Sequence, residues 1–354
     1  MSGTVLRTAL RRSLAQIRYV DPVRPNAATG VVGEVYRQLE DEFGMLAPPV
    51  ALHSPAPTVL AASWLILRET LLAGGYAGRA AKEAVASAVS VANACPYCVE
   101  VHSTALRGLS AGGAADAIST GRIDDVDDPG ISVLAEWARY TGDRARAYAV
   151  PAPAEQAPEL VGVAATFHYL NRMVNIYLAE SPLPPGAPDA AKNAARWLLA
   201  KVMRPSVRRA PGLSLRLLPD AAPTADLAWA AGNPTVAAAF ARACAAVDAA
   251  ADDAVPEGVR TVVRDHLATW TGMPPGPSRA WVTDAVAGLP PAERGAGRLA
   301  LLAAVASYQV DQQVIDEAGR GVDADLVTLT SWASLTAARR ICSWTAVRAP
   351  VREG

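Results

Sequence analysis

Apolar positions along this chain fall at helical spacing with few β-branched runs, so helix is expected nearly everywhere. Over 33–44, GEVYRQLEDEFG, the pattern sets Val35, Leu39 and Phe43 on one face. Prolines at 48, 49, 55 and 57 end that segment, and an apolar helix resumes over 58–74. Further helices are predicted over 79–93, 96–109, 111–119, 130–145 and 155–179. A Pro/Gly-rich stretch at 181–188 closes a first unit, and 190–203 gives one more helix before Pro205. Residues 1–22 read as an arm with a short amphipathic helix.

The remainder repeats this pattern weakly. Pro57-Thr58-Val59 matches Pro234-Thr235-Val236, followed by alanines at 61/238 and 62/239. Leu134, Ala135, Ala138 and Tyr140 match Leu302, Ala303, Ala306 and Tyr308, and Leu160-Val161 match Leu326-Val327. The offset drifts slowly downward, as loop deletions in a tandem duplication would produce. The expected organisation is an all-α chain with an arm at 1–22, one helical unit at 23–204 and a second at 205–354.

Composition adds exclusions. The formal net charge of −1 leaves no electrostatic footprint for nucleic acid or an anionic membrane. No run of eighteen uncharged apolar residues suggests a transmembrane helix, and arginines at 6, 11, 12 and 18 interrupt any signal-peptide core. The four cysteines, Cys95, Cys98, Cys244 and Cys342, are too few for a disulfide-stapled scaffold. A reducing cytoplasm is therefore expected, where a CxxC pair points to redox or metal chemistry.

That chemistry concentrates in one short stretch. Glu83 is followed after eleven residues by Cys95, after two more by Cys98, and after three more by His102. Cys98 and His102 are i and i+4, so a helix sets them on one face. Pro96 fits the first helical position, making Cys95 the cap and placing Cys98 in the first turn, where unpaired N–H groups and the dipole favour a thiolate. A helix over 79–93 running antiparallel to the cysteine helix would return Glu83 to this pair. A buried carboxylate there would hold the imidazole and collect the thiol's proton. Two blander readings compete: small buried cysteines in a core, and a zinc site, for which no second cysteine pair follows at finger-like spacing. In the second unit Arg260, Gly272, Pro275 and Arg279 stand at the corresponding positions, so that copy reads as degenerate.

Other positions carry weaker signals. His168 and Asn171 in FHYLNRM suit a pocket wall or, more commonly, a packed helix. His53 and His266 have no evident partner, and Cys244 and Cys342 read as core. Trp197, Trp229, Trp270, Trp281, Trp332 and Trp344 are expected to fill the core and the boundary between units.

The segment KEAVASAVSVANACPYCVEVHSTALRG resembles the active-site signature of the AhpD-like alkylhydroperoxidases, within the carboxymuconolactone decarboxylase superfamily. The similarity extends over roughly 25–180, and Glu83, Cys95, Cys98 and His102 match the family pattern E-x11-C-x2-C-x3-H. Tyr97 departs from it, since some members carry a further histidine there, and the departure implies a weaker proton relay.

The resemblance implies an all-α AhpD-like fold and a thiol peroxidase acting on hydroperoxides. Cys98 would be the peroxidatic cysteine, Cys95 the resolving one, and Glu83 with His102 the relay. It further implies an external dithiol electron donor, homo-oligomers, and no metal or organic cofactor. Alternatives on the same residues are a disulfide reductase or redox relay, and a non-enzymatic redox-responsive binding protein. Decarboxylation of a lactone acid fits less well, because that branch of the superfamily lacks the cysteine pair.

Overall fold

The computed structural model describes residues 12–110, 112–182, 188–203, 209–319 and 321–345, and over these the chain is all-α. Among the described residues, β pairing is confined to an isolated bridge between Ala73 and Arg209. Helix α1 (Gly30–Gln38) runs into a π-helical turn at Leu39–Phe43, and α2 (Pro48–Ala51) is a single turn. Helix α3 (Pro57–Leu67) likewise relaxes into a π-helical turn, Arg68–Leu72, ending earlier than the apolar run suggests. Then come α4 (Arg79–Ala92), α5 (Pro96–Arg107), α6 (Ala114–Ser119), α7 (Pro129–Tyr140), α8 (Ala157–Tyr177) and α9 (Asp189–Met203).

Proline at the start of α3, α5 and α7 explains why the sequence marks their beginnings well: its missing N–H falls where a helix has no use for one. Asp128 adds a side-chain cap to α7, accepting from Gly130 N at 2.9 Å and Ile131 N at 3.1 Å.

Helix α8 is the axis of the molecule. Every residue but Ala157 and Asn175 is buried, so it carries no solvent face. Helix α4 lies against α8, α5 and α7, and α9 covers the outer side of α5. Residues 12–16 of the arm form a 3-10 turn rather than the expected amphipathic helix, and residues 1–11 lie outside the described residues. The following segment is pinned to the end of α8, with Arg18 N donating to Tyr177 O at 2.8 Å and the Arg18 guanidinium to Leu178 O at 2.5 Å.

In the second half, α10 (Pro234–Ala254), α11 (Glu257–Thr269), α12 (Ala280–Ala285), α13 (Arg294–Val305), α14 (Gln312–Ala318) and α15 (Asp323–Thr345) follow. Helices α3 and α10, which share Pro-Thr-Val, pack on each other, as do α8 and α15, which share Leu-Val. One hydrophobic core runs through both halves. The expected boundary at 204/205 lies outside the described residues, as do residues 183–187 of the Pro/Gly-rich stretch. Among the described residues no helix is long and apolar enough to cross a membrane.

Candidate active site

The turn between α4 and α5 does the positioning. Ala94 N donates to Val91 O at 3.1 Å and Cys95 N to Ser90 O at 3.0 Å, the paired bonds of a Schellman motif. Its left-handed position is held by Ala94 (φ 49°), where glycine is usual. The next residue, Cys95, already caps α5, and Pro96 opens that helix. The two helices therefore double back with no slack, and Cys98 sits at the third helical position.

This hairpin brings Glu83 to His102. The imidazole Nδ1 lies 2.7 Å from Glu83 Oε2, and both side chains are buried. Glu83 also receives Arg79, one turn earlier on α4, with Arg79 Nη2 2.6 Å from Oε1. Burial pushes the Glu83 carboxyl up, but the charges of Arg79 and His102 and their hydrogen bonds outweigh it and leave the group below its ordinary value. An ionised carboxylate only accepts, so the hydrogen on this contact belongs to His102 Nδ1. The far face of the ring meets Phe167 edge-on, centroids 4.4 Å apart. Arg79 was not among the expected residues, although its i, i+4 spacing to Glu83 is legible in the sequence.

Cys95 and Cys98 are both free thiols and both are buried, three residues apart at the start of α5. The helix start does not make Cys98 acidic as expected. Burial raises its pKa well above the ordinary value, Cys95 raises it further, and a hydrogen bond from Asn171 acts in the opposite sense. Desolvation thus outweighs the local dipole, and the resting sulfur is a thiol. Tyr97 is buried alongside, and desolvation holds its hydroxyl un-ionised.

The two sulfurs face different spaces. Cys98 and His102 line a small apolar cavity of about 60 Å³ walled by Tyr97, Val101, Phe167 and Leu170. Cys95 lies at the edge of a wide groove of about 1280 Å³ between α5 and α9, bordered by Glu100, Arg107, Arg196 and Trp197. Trp197 is 65% exposed there, in contrast to the core role expected of it.

The remaining candidates are settled by packing. His168 and Asn171 are fully buried and hydrogen-bonded. His53 pairs with Val50 O and the Tyr169 hydroxyl, and His266 stacks on Trp281. Cys244 and Cys342 are core residues; burial pushes the Cys244 thiol up to about 12 and Cys342 also upward. Among the described residues no group of three or more His, Cys, Asp or Glu side chains could hold a metal ion. Ser87, one turn beyond Glu83 on α4, has a buried hydroxyl with no hydrogen-bond partner among the described residues.

A protein of Mycobacterium tuberculosis named alkyl hydroperoxide reductase is 38% identical to this chain over 334 residues, covering 93% of this chain and 94% of its own length. No family model matches the chain. No solved structure matches it.

Proposed function

This chain belongs to the AhpD-like family, and from that premise we propose that it reduces organic hydroperoxides through a Cys98/Cys95 dithiol cycle. The observation that carries the reading is the sharing of one apolar cavity by Cys98 and by a His102 whose Nδ1 is tied to an ionised Glu83. A buried thiol needs a base at the moment of attack, and with Nδ1 turned to Glu83 it is His102 Nε2 that is left to take the proton.

The cycle balances in three steps. His102 takes the Cys98 proton, and the sulfur attacks the terminal oxygen of R–O–O–H. The O–O bond breaks, the alkoxide leaves as R–OH with the proton returned from His102, and Cys98 becomes sulfenic acid. The Cys95 thiol then displaces water from that sulfenic acid to give the Cys95–Cys98 disulfide. An external dithiol reduces the disulfide and is itself oxidised. Tyr97, un-ionised and apolar-facing, contributes wall rather than proton transfer. The relative's name supports a hydroperoxide as substrate. A cavity this small fits a hydroperoxide head group, with the alkyl part meeting its apolar walls.

The test is reduction of cumene hydroperoxide with dithiothreitol as the donor. Cys98→Ser should abolish it. Cys95→Ser should allow one turnover and leave sulfenic acid on Cys98, trapped and located by mass spectrometry. Sulfenic acid on Cys95 instead would reverse the two roles.

The groove at Cys95 favours a second reading, a disulfide reductase or redox relay whose partner is a thiol protein. Exchange with small disulfides at a useful rate, with no hydroperoxide consumed, would select it. On either reading we propose that the electron donor approaches Cys95 and that the chain assembles into homo-oligomers, as its family does.

A further inference from the structure

We propose that Glu100 makes the Cys98 cavity selective for apolar, uncharged molecules by pinning Pro182 and Leu199 at its mouth. The proposal rests on the reading of Cys98 as the reacting sulfur. On that reading the favoured substrates are hydroperoxides with uncharged hydrocarbon tails.

The wall of the cavity decides what can enter. Apart from Tyr97, Cys98 and His102, every side chain that lines it is apolar. Most of these residues are buried, but Met45, Pro49, Val101, Pro182 and Leu199 keep some contact with solvent, which places the mouth among them. A carboxylate passing this ring would shed its water with no cation there to replace it. A hydrocarbon tail meets apolar surface instead, and its release from water favours entry.

Two of the five mouth residues come from chain that returns to α5 after α8. Pro182 follows α8, and Leu199 belongs to α9, which packs on α5. Glu100, on α5 beside Val101, holds both segments. Its Oε1 accepts from Arg196 Nε at 2.9 Å, three residues before Leu199. Its Oε2 accepts from Ser181 Oγ at 3.0 Å, next to Pro182. Each carboxylate oxygen is thus engaged by a segment that supplies a mouth residue. Arg196 lines the groove at Cys95 and not the cavity, so the same pairing keeps a guanidinium away from the mouth. Glu100 acts through Arg196 and Ser181 as a positioning residue, and Leu199 and Pro182 are the surfaces that an entering molecule meets.

The test is alkylation of Cys98 in the full-length Cys95→Ser protein by three reagents with one leaving group: iodoacetate, iodoacetamide and N-benzyliodoacetamide. Modification is located by mass spectrometry, and each rate is divided by that of glutathione at the same pH to remove intrinsic reactivity. Cys98 should prefer the benzyl reagent to iodoacetate by about tenfold or more, the scale of burying a few methylenes. Leu199→Lys sets a cation at the mouth and should cut this preference by about tenfold. Glu100→Ala should cut it several-fold, and Glu100→Gln, which keeps one acceptor oxygen, by less. Arg196→Ala carries the test of the latch should Glu100→Ala fail to fold. Equal rates for the three reagents, or a Cys98 that none of them reaches, overturns the apolar mouth, as does an unchanged preference in Leu199→Lys. A preference lost in Leu199→Lys but intact in Glu100→Ala and Arg196→Ala overturns the role of Glu100. Alkylation consumes no hydroperoxide. A wild-type protein that selects among the reagents yet reduces no cumene hydroperoxide would sink the proposed function alone, and one that reduces it without selecting would sink this inference alone.

Discussion

Glu83 and Cys98 lie a few side chains apart, are equally buried, and are driven in opposite directions. Glu83 has Arg79 and His102 beside it, and their pull outweighs its desolvation, whereas for Cys98 burial prevails. The pH consequences differ accordingly. The Glu83 carboxylate contributes fully above the ordinary carboxylate value and is lost only as pH falls through its own lower value, so the His102 contact persists into mild acid. Cys98 contributes fully below the ordinary thiol value of 9.0 and loses that contribution as pH rises through its elevated value. Thermal melts should show wild type losing stability on the alkaline side, and Cys98→Ala should flatten that limb. If the relay operates, Glu83→Gln and His102→Phe should each lower hydroperoxide turnover by about 10²–10⁴-fold, and the double variant should lose less than the product. With Tyr97 in place of a histidine, the lower end of that range is expected. Steady-state rates on folded protein decide this, and near-wild-type turnover in either single variant removes the relay. The motif residues were legible in sequence because they fall within one helical hairpin. Asn171 stood out only as a pocket-wall or packed-helix candidate, because its partners Asn93 and Ser90 meet it through tertiary packing. The direction of the Cys98 shift was misread for the same reason, since burial is not written in the first turn of a helix.

At the scale of elements, the site depends on how tightly α4 turns into α5. Ala94 holds a left-handed conformation that costs an L-residue about 1–2 kcal/mol, offset only partly by the greater chain entropy of glycine. Ala94→Gly should therefore stabilise the protein by about 0.5–1 kcal/mol in chemical denaturation and leave hydroperoxide turnover unchanged. A stabilised but slow variant would mean that the strain at Ala94 serves the chemistry. Proline at a first helical position stands at the starts of α3, α5 and α7, which the sequence pattern places to within a residue. The two π-helical endings at Leu39–Phe43 and Arg68–Leu72 were not readable. Arg68 at the start of the second is buried and paired with its neighbour Glu69 at 2.6 Å and with Glu42 of the first at 2.7 Å, so the Glu42 pair ties the two turns together.

Across the whole molecule, the second half closes over α8. The Tyr169 hydroxyl reaches Ser331 at 3.3 Å, the Tyr177 hydroxyl reaches Thr330 at 2.9 Å, and Arg172 Nε donates to Ala304 O at 2.8 Å. Helices that share short sequence runs meet across this boundary, α3 with α10 and α8 with α15. We propose that the chain is a tandem duplication whose second copy serves as a built-in partner and has given up its chemistry. Gly272 illustrates the exchange. It stands where Cys95 would fall in the repeat, adopts φ +93°, and approaches so closely that a Cβ would lie 1.7 Å from Gly142 O. Next to it Arg144 N donates to Thr271 O at 2.9 Å, fastening the degenerate loop to the first unit. Gly272→Ala should cost about 2–4 kcal/mol of stability through strain and overlap, read in chemical denaturation. Replacing both Cys244 and Cys342 by alanine should instead leave hydroperoxide turnover within a few-fold of wild type. These two thiols are buried, shifted upward, and remote in sequence from any relay. If the double cysteine variant loses as much turnover as Cys98→Ser while remaining folded, the second half takes part in the reaction. If it does not, and Gly272→Ala loses stability as expected, the second copy acts by packing alone.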